Sequence, residues 1–340
     1  MSAADALNLI RTLVQEDVGN RGLRADSVDN LITACPDDFG AACRSLADTA
    51  RPSVAIVTGF FIAHAQPPAA ETDGPLGALF LARALTPLGF RVALATDAFC
   101  IRALRAGLEF AGLREVVPLV TLPSVQESAL MWSSTYWRCL TERVGELSHL
   151  IAVERVGPSH TPASIRSQTN RHSSTLACFD DEVPREHHDR CHSMRGQDIT
   201  GHTSPAHRLF EEAARAVPRV RTIGIGDGGN EIGMGKVPWE VIRRNIPRGG
   251  LIACRVPTDD LVVCGISNWG AYGLAAGVRL LRGAPADPAC FNVERERALL
   301  EWMIQYGPLV DGMTGQPALA VDGLAFERYA QLLPRLGAIR

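Results

Sequence analysis

The feature that most constrains the fold is an alternation, from Ser53 onward, between short β-rich apolar runs and helical stretches. Strands that alternate with helical crossovers form parallel sheets whose two faces are covered by helices. The sequence therefore predicts an α/β fold, mainly a parallel sheet flanked by helices. The strand-like runs are SVAIVTGFFI, FRVALATD, HLIAVERVG, VRTIGIGDGG and DLVVCGISN.

A helical segment precedes this alternation. Leu7, Ile10, Leu13 and Val14 lie at helical spacing within residues 3 to 16, and residues 40 to 49 read as a second helix. We divide the chain into an N-terminal helical lead-in at 1–52 and one α/β domain at 53–340. Further helices are predicted at 293 to 306 and 324 to 333.

The alternation stops after Gly157, where the chain is polar, rich in proline and without apolar periodicity. We interpret 158–192 as a polar excursion over the surface. It holds metal-type side chains at short spacing, namely His187, His188, Cys191 and His192. Without a matching second pair of ligands, a solvated loop is favoured over a zinc site.

Composition narrows the class of partner. The formal net charge is −3 over 340 residues, so no broad field draws the chain to nucleic acid or anionic lipid. No signal peptide or apolar run of about 18 residues is visible, so we expect a cytoplasmic protein without membrane attachment. Nine cysteines without a CxxC pair indicate reduced, packed thiols. A homo-oligomer remains open.

The densest chemical signal is TIGIGDGGNEIGMGKVPWE, residues 222 to 240. Its glycines allow close backbone approach around three polar side chains, Asp227, Asn230 and Glu231. A G-x-G-x-x-G match occurs here, but later glycines and Pro238 would interrupt the helix that a dinucleotide site requires. We therefore expect no nucleotide. A structural turn with incidental acids is the alternative.

Two more acids stand beyond the first predicted strand. Glu71 and Asp73 precede Gly74-Pro75 and an apolar periodic stretch, which is typical of a helix start. Asp73 as a simple helix cap is one interpretation. The functional alternative is that both acids lie at the carboxyl edge of the sheet, where open α/β sheets bind ligands.

Three further positions complete the candidate site. Glu154 ends an apolar strand, and Arg195 downstream has the planar fork that suits a substrate carboxylate, although an ordinary salt bridge is equally open. Ser267 and Asn268 stand at a strand-to-helix junction whose free N–H groups could hold a carboxylate, with helix capping as the alternative.

These segments, in this order, resemble the D-glutamate cyclase family over about residues 53 to 325. The resemblance is carried by ETDGP-GA, ER-G, MRG-DIT, IGIGDGGNEIGMGKV, VPTD, SNWG-Y and DG-TG. The long IGDGGNEIGMG run is the most specific of these motifs, whereas ER-G or DG-TG alone would mean little.

The resemblance implies a hydro-lyase that interconverts D-glutamate and 5-oxo-D-proline, a small amino-acid-like substrate. Ring closure needs an acid, a base and a neutralised carboxylate, and a divalent cation such as Mg²⁺ or Mn²⁺ would supply the neutralisation. We expect Glu71, Asp73, Asp227 and Glu231 to be metal ligands or acid/base groups, with Glu154 as a further catalytic candidate. Arg195, Asn230, Ser267, Asn268 and, more weakly, Lys236 are expected to bind the substrate.

Other functions remain open at this point. The same carboxylates could activate water in a metal-dependent hydrolase of another lactam, amide or phosphoester. A small-molecule sensor could keep the pocket without turnover. A pyridoxal phosphate enzyme would need Lys236, the only lysine, as its Schiff base, and we do not expect that cofactor.

Overall fold

In a computed structural model, which describes residues 1–123, 129–168, 173–284 and 289–340, the chain folds around one six-stranded parallel sheet. The strands lie in the order β5-β4-β1-β6-β7-β8. They are β1 (Ser53–Thr58), β4 (Arg91–Asp97), β5 (Leu119–Leu122), β6 (His149–Val153), β7 (Arg221–Gly226) and β8 (Asp260–Val263). The predicted α/β fold with a parallel sheet flanked by helices is confirmed.

The sheet is buried on both faces because alternate strand residues enter two separate cores. Ile56 and Ile151 point into one core, whereas their neighbours Val57 and Ala152 point into the other. Each strand therefore reads as a continuous apolar run rather than as an alternation of apolar and polar residues.

Helices cover the two faces in two sets. The first core contains α1 (Ala3–Val14), α3 (Asp38–Asp48), α4 (Pro75–Leu85), α5 (Ile101–Ala111), α12 (Ser267–Leu281), α13 (Val293–Tyr306), α14 (Phe326–Tyr329) and α15 (Leu332–Gly337). The second contains α2 (Leu31–Ala34), α6 (Ala129–Val144), α7 (Pro162–Gln168), α8 (Ser173–Glu182), α9 (His207–Ala213), α10 (Trp239–Asn245) and α11 (Gly249–Ile252).

Short antiparallel strand pairs and 3₁₀ turns lie outside the central sheet and its covering helices. Antiparallel pairs are formed by β2 (Phe61–Ile62) with β3 (Ala69–Ala70) and by β9 (Ala320–Val321) with β10 (Leu324–Ala325). Single 3₁₀ turns lie at Thr86–Leu88, Arg185–His187 and Thr200–His202. The helix predicted at 324 to 333 is instead β10 followed by α14 and the start of α15.

The strand order creates a crevice. From β1 the chain proceeds outward through β4 and β5, then returns to β6 beside β1 and continues through β7 and β8 in the opposite direction. In doubly wound sheets the loops at such a reversal diverge beyond the carboxyl ends of the strands and leave room for a ligand. The loops after β1 and β6 flank this position.

The N-terminal segment docks on the same core. Helix α1 packs against α12, the backbone N–H of Gly265 donates to the Val14 carbonyl at 2.8 Å, and the Gln15 side chain donates to the Val263 carbonyl at 3.2 Å. The turn after α1 is thereby fixed near the carboxyl end of β8. The domain boundary at residue 52 stays a prediction.

The structure differs from the expected irregular excursion at 158–192. Within the residues described there, α7 and α8 are helical, and Phe179, Cys191 and His192 are buried. Backbone bridges pair Pro158 with Cys191 and Ser159 with Cys254. These bridges and buried side chains attach the segment to the second core, although its polar composition concealed that role.

Two sequence expectations concern the whole chain. All nine cysteines lie in the described residues, where none forms a disulfide and seven are buried, as expected for packed thiols. Among the described residues, none of the helices combines the length and apolar character that a bilayer crossing requires.

Candidate active site

Asp73 lies at the junction of two helices. The β2–β3 hairpin brings the chain back from the end of β1, and Asp73 stands two residues before α4. Its Oδ2 accepts the backbone N–H of Ser267 at 2.9 Å, and its Oδ1 accepts that of Asn268 at 2.8 Å. Asp73 therefore caps the positive N-terminal end of α12.

Asn268 in turn caps the N-terminal end of α4. Its Oδ1 accepts the backbone N–H groups of Gly74 at 2.9 Å and Gly77 at 2.6 Å. A Cβ at Gly77 would lie 2.9 Å from the Cα of Asn268, so glycine is required where the helices approach each other. The two helices cap one another, and the ETDGP-GA and SNWG segments form one unit.

Glu154 follows β6 directly and reaches the same place. Its backbone has a φ of 44°, which non-glycine residues seldom adopt outside constrained sites. The Ser267 hydroxyl donates to Glu154 Oε2 at 2.5 Å, and a Cβ at Gly74 would lie 2.8 Å from the Cβ of Glu154. The left-handed turn thus directs this carboxyl toward the starts of α4 and α12.

The glycine-rich segment after β7 forms a loop around Glu231. This carboxylate accepts the backbone N–H groups of Asp227 at 2.9 Å, Gly228 at 2.6 Å and Gly229 at 2.7 Å. The loop therefore holds Asp227 fixed at the carboxyl end of β7. Asn230 donates to the His192 carbonyl at 2.7 Å and so ties the loop to the neighbouring segment.

Asp322 and Arg21, which the sequence analysis did not identify, complete the cluster of charged residues. Asp322 and Gly323, with φ of 55° and 75°, form the two-residue turn between β9 and β10. From the N-terminal segment, Arg21 donates to Asp227 Oδ1 at 2.7 Å and pairs with Asp322 Oδ1 at 2.5 Å. The Asp227 carboxylate is completely buried, and the Arg21 side chain is 13% exposed.

The carboxylates converge from distant parts of the chain. One oxygen each from Asp73, Asp227 and Asp322 lies within 4.8 Å of the others, and the same holds for Glu154, Asp227 and Glu231. The Oδ2 atoms of Asp227 and Asp322 are buried and find no hydrogen-bond partner among the described residues. These oxygens could hold a cation, since unpaired buried carboxylate oxygens favour a positive ligand.

Burial and mutual repulsion change the acidity of the cluster. Burial, the largest cause, raises the pKa well above its ordinary value for Glu71, Asp73, Glu154 and Asp227. Neighbouring carboxylates raise each pKa further, with Asp322 the largest such contributor for Glu71 and Asp73 and Glu231 for Glu154. Each of these four carboxyls therefore holds a proton more readily than an ordinary carboxyl does.

An open cavity of about 280 Å³ reaches this cluster from solvent. Its acidic lining consists of Glu71, Glu154 and Asp322, whereas Arg21 lies beside them. Arg195 is exposed in the wall and donates to the Met313 carbonyl at 2.8 Å. Asp73 and Asp227 lie behind this lining.

The sequence model of the family described as D-glutamate cyclase-like, C-terminal, matches residues 10–171 and 181–337. The chain belongs to this family. The match begins within α1, so it includes the segment that carries Arg21.

A curated relative supports the assignment over nearly the same span. The chain is 28% identical over 363 aligned positions to the human protein named D-glutamate cyclase, mitochondrial, with 99% of this chain and 52% of that protein covered. The chain thus spans about half the length of this relative.

Solved structures that align with this chain do so only weakly. A short-chain dehydrogenase/reductase from Serratia marcescens aligns at 14% identity and a TM-score of 0.26, covering 64% of this chain and 98% of its own. A levodione reductase aligns at 14% identity and a TM-score of 0.25, covering 68% and 90%.

Lys236 is placed elsewhere. Its ammonium pairs with Asp38 at 2.5 Å and donates to the Asp259 carbonyl at 2.7 Å, just before β8 begins. Because Asp227 and Glu154 lie at the carboxyl ends of the strands, Lys236 is at the opposite edge of the sheet. The structure therefore does not bring this lysine to the cavity, either as a carboxylate partner or as a Schiff base.

The expected substrate contacts at the start of α12 are also revised. The N–H groups of Ser267 and Asn268 donate to Asp73, and the Ser267 hydroxyl donates to Glu154, so none of them is free for a ligand carboxylate. Capping, the alternative interpretation, describes these two residues. The Asn230 amide nitrogen donates to the His192 carbonyl, its Oδ1 finds no hydrogen-bond partner among the described residues, and Arg195 faces the cavity.

Some of the site residues that the sequence analysis did not identify are marked by a local sequence pattern, and others are not. Val321-Asp322-Gly323-Leu324 is an Asp-Gly pair between apolar residues, which is a recognisable hairpin signal. His64 follows a β-like run, and its Nε2 is buried in the cavity wall with no hydrogen-bond partner among the described residues. Arg21 lies 206 residues from Asp227, and nothing local marks it.

Proposed function

We propose that this chain is a hydro-lyase that interconverts D-glutamate and 5-oxo-D-proline with loss or gain of water. The observation that carries the proposal is the convergence of family-motif carboxylates from the loops after β1, β6 and β7 at one small cavity. Membership of the D-glutamate cyclase-like family supports the reaction class. The cytoplasmic location expected for this chain stays a prediction, and the human relative is named as a mitochondrial protein.

The reaction needs proton transfer at the attacking water and at the ring nitrogen. In the opening direction, water gives up a proton as its oxygen bonds to the lactam carbonyl carbon, the carbon–nitrogen bond breaks, and the ring nitrogen gains a proton. Glu154 and Glu71 face the cavity with raised pKa values, which suits a group that must both accept and release protons. We assign the acid and base roles to this pair.

The anionic substrate needs a positive partner in an acidic cavity. Arg195 in the wall offers a guanidinium whose fork matches two carboxylate oxygens. We assign the α-carboxylate of D-glutamate, or the carboxylate of 5-oxo-D-proline, to this residue.

The oxygen cluster fits a hard divalent cation such as Mg²⁺ or Mn²⁺. The donors are all carboxylates, and Asp227 and Asp322 each keep one buried oxygen that no described residue contacts by a hydrogen bond. Asp73, Asp227 and Asp322 would hold the ion, with Glu231 and Glu71 at its margin. When bound, the ion would polarise a carbonyl or carboxylate oxygen of the substrate.

Turnover of both substrates tests the proposal. Purified chain is incubated with 5-oxo-D-proline or D-glutamate, with Mn²⁺, with Mg²⁺ or with a chelator, and products are separated by chiral chromatography. We expect conversion of the D-isomers, and loss of about 100-fold or more in Glu154→Gln. Glu296→Gln, which changes a completely buried carboxylate paired with Arg83 outside the site, is the control.

Two results would contradict the proposal. The first is absence of conversion of either D-isomer under every metal condition. The second is a Glu154→Gln rate equal to that of the Glu296→Gln control. Hydrolysis of an unrelated amide or phosphoester in place of 5-oxo-D-proline would instead support the hydrolase alternative.

A further inference from the structure

Arg21 stands between the cavity and the most buried carboxylates. Its two terminal nitrogens bond to Asp227 Oδ1 and Asp322 Oδ1, two members of the triad whose oxygens converge within 4.8 Å. The side chain lines the cavity, whereas Asp227 does not. A solute in the cavity therefore meets the guanidinium before it meets this aspartate.

A rigid turn delivers this arginine. The Asp17 carboxylate accepts the backbone N–H groups of Arg21 at 2.9 Å, Gly22 at 3.2 Å and Leu23 at 3.1 Å. Gly22, with a φ of 96°, packs so closely that a Cβ there would lie 2.2 Å from the Asn245 carbonyl oxygen. The backbone of Arg21 is thus fixed, and only its long side chain is free to change rotamer.

The arginine leaves the cluster incompletely satisfied. Within the described part of the chain, the Oδ2 atoms of Asp227 and Asp322 have no hydrogen-bond partner, although the two side chains are completely buried and 6% exposed, respectively. A guanidinium brings one positive charge and reaches only one oxygen of each aspartate. A divalent cation brings two charges and can bind oxygens from all three aspartates at once.

We propose that Arg21 is the resident counter-cation of this site, which neutralises Asp227 and Asp322 until a divalent cation takes its place. This inference rests on the divalent cation of the proposed function, and it adds that Arg21 regulates the binding of that cation. Because the guanidinium and the ion compete for the same oxygens, Arg21 lowers the apparent affinity for the ion. Its displacement also turns a positive group toward the cavity, where a substrate carboxylate would be bound.

Binding of Mn²⁺ alone, measured by isothermal titration calorimetry and by the electron paramagnetic resonance signal of free Mn²⁺, tests the inference. Removal of one positive charge a few ångströms from a divalent ion should tighten binding at least tenfold, so Arg21→Gln should show a correspondingly lower Kd. Arg21→Lys keeps the charge and should stay within about threefold of the wild type. Arg83→Gln, which breaks a buried pair with Glu296 elsewhere, should leave the Kd unchanged.

Asp17→Asn gives a second test that retains Arg21 but loosens its turn, and we expect binding tighter by about threefold or more. Circular dichroism establishes which variants fold. Unchanged or weaker Mn²⁺ binding in the folded variants overturns the inference, as does equal tightening in Arg83→Gln. Turnover of 5-oxo-D-proline decides the proposed function separately, because the inference is judged only by ratios of Kd.

Discussion

Asn268→Ala tests whether the mutual capping of α4 and α12 organises the site. The amide oxygen accepts two buried N–H groups, those of Gly74 and Gly77, and the amide nitrogen donates to the Thr72 carbonyl at 3.1 Å. The Gly74 N–H keeps a second acceptor, Asp73 Oδ1 at 3.0 Å, so only the Gly77 N–H loses its partner. A buried N–H left without an acceptor costs about 1 to 3 kcal/mol, and we expect the free energy of unfolding to fall by about that amount.

The same substitution should reduce activity, because Gly74 adjoins Asp73 and a shift of α4 moves that carboxylate. A displacement on the order of 1 Å at a positioned group can cost roughly 100-fold, and we expect kcat/KM for 5-oxo-D-proline to fall about 10- to 100-fold. Urea unfolding followed by circular dichroism gives the stability, and chiral chromatography gives the rate.

Asn30 offers a matched control outside the site. It is buried, its oxygen caps α2 by accepting two backbone N–H groups, and its amide nitrogen donates to the Asp26 carbonyl. Because the capped end is only partly buried, Asn30→Ala should cost about 1 kcal/mol and leave kcat/KM unchanged. The reasoning fails if the two variants match in both stability and activity.

Three further predictions concern charge. Asp227→Asn should lower kcat by about 100-fold or more while circular dichroism shows an intact fold; near-wild-type kcat would remove Asp227 from the mechanism. Arg195→Gln should raise KM more than it lowers kcat and leave stability unchanged, since the side chain is exposed and donates to the Met313 carbonyl; an unaltered KM would exclude it as the carboxylate partner. Burial lowers the pKa of His149 from 6.5 to about 4, so the unfolded chain binds its proton first as pH falls. Between pH 6.5 and 4, His149 should therefore contribute a decline of about 3 kcal/mol to the free energy of unfolding, beside the declines from His160, His192 and His207, whose pKa values are also lowered by burial. His149→Gln should reduce the pH dependence by that amount in urea titrations and exposed His202→Gln should not; equal slopes in both variants would contradict the assignment.

Most of the fold could be predicted from the sequence because its determinants are local. A strand buried on both faces reads as an apolar run, and a helix that covers it reads as a periodic stretch, so β1, β4, β6, β7 and β8 were found in place. Segment 158–192 was not, since its polar composition outweighed the few buried side chains that anchor α7 and α8. A motif resemblance supplied the family, which the match over residues 10–171 and 181–337 confirms.

The candidate site was readable only in part. Glu71, Asp73, Glu154, Asp227 and Glu231 follow strands or precede helices, and the carboxyl ends of parallel strands share one edge. Their individual roles stay predictions. What the pattern could not reveal is which groups already satisfy one another, such as the N–H groups at the start of α12 that bind Asp73.

Chain direction and apolar periodicity are encoded residue by residue, so the sequence predicts acidic loops along one edge of a parallel sheet. Arg21 and Asp322 join those acids, and Lys236 lies at the opposite edge, through contacts that no local pattern reveals. Strand order and the docking of the N-terminal turn set these distances, and both depend on contacts between residues far apart in the chain.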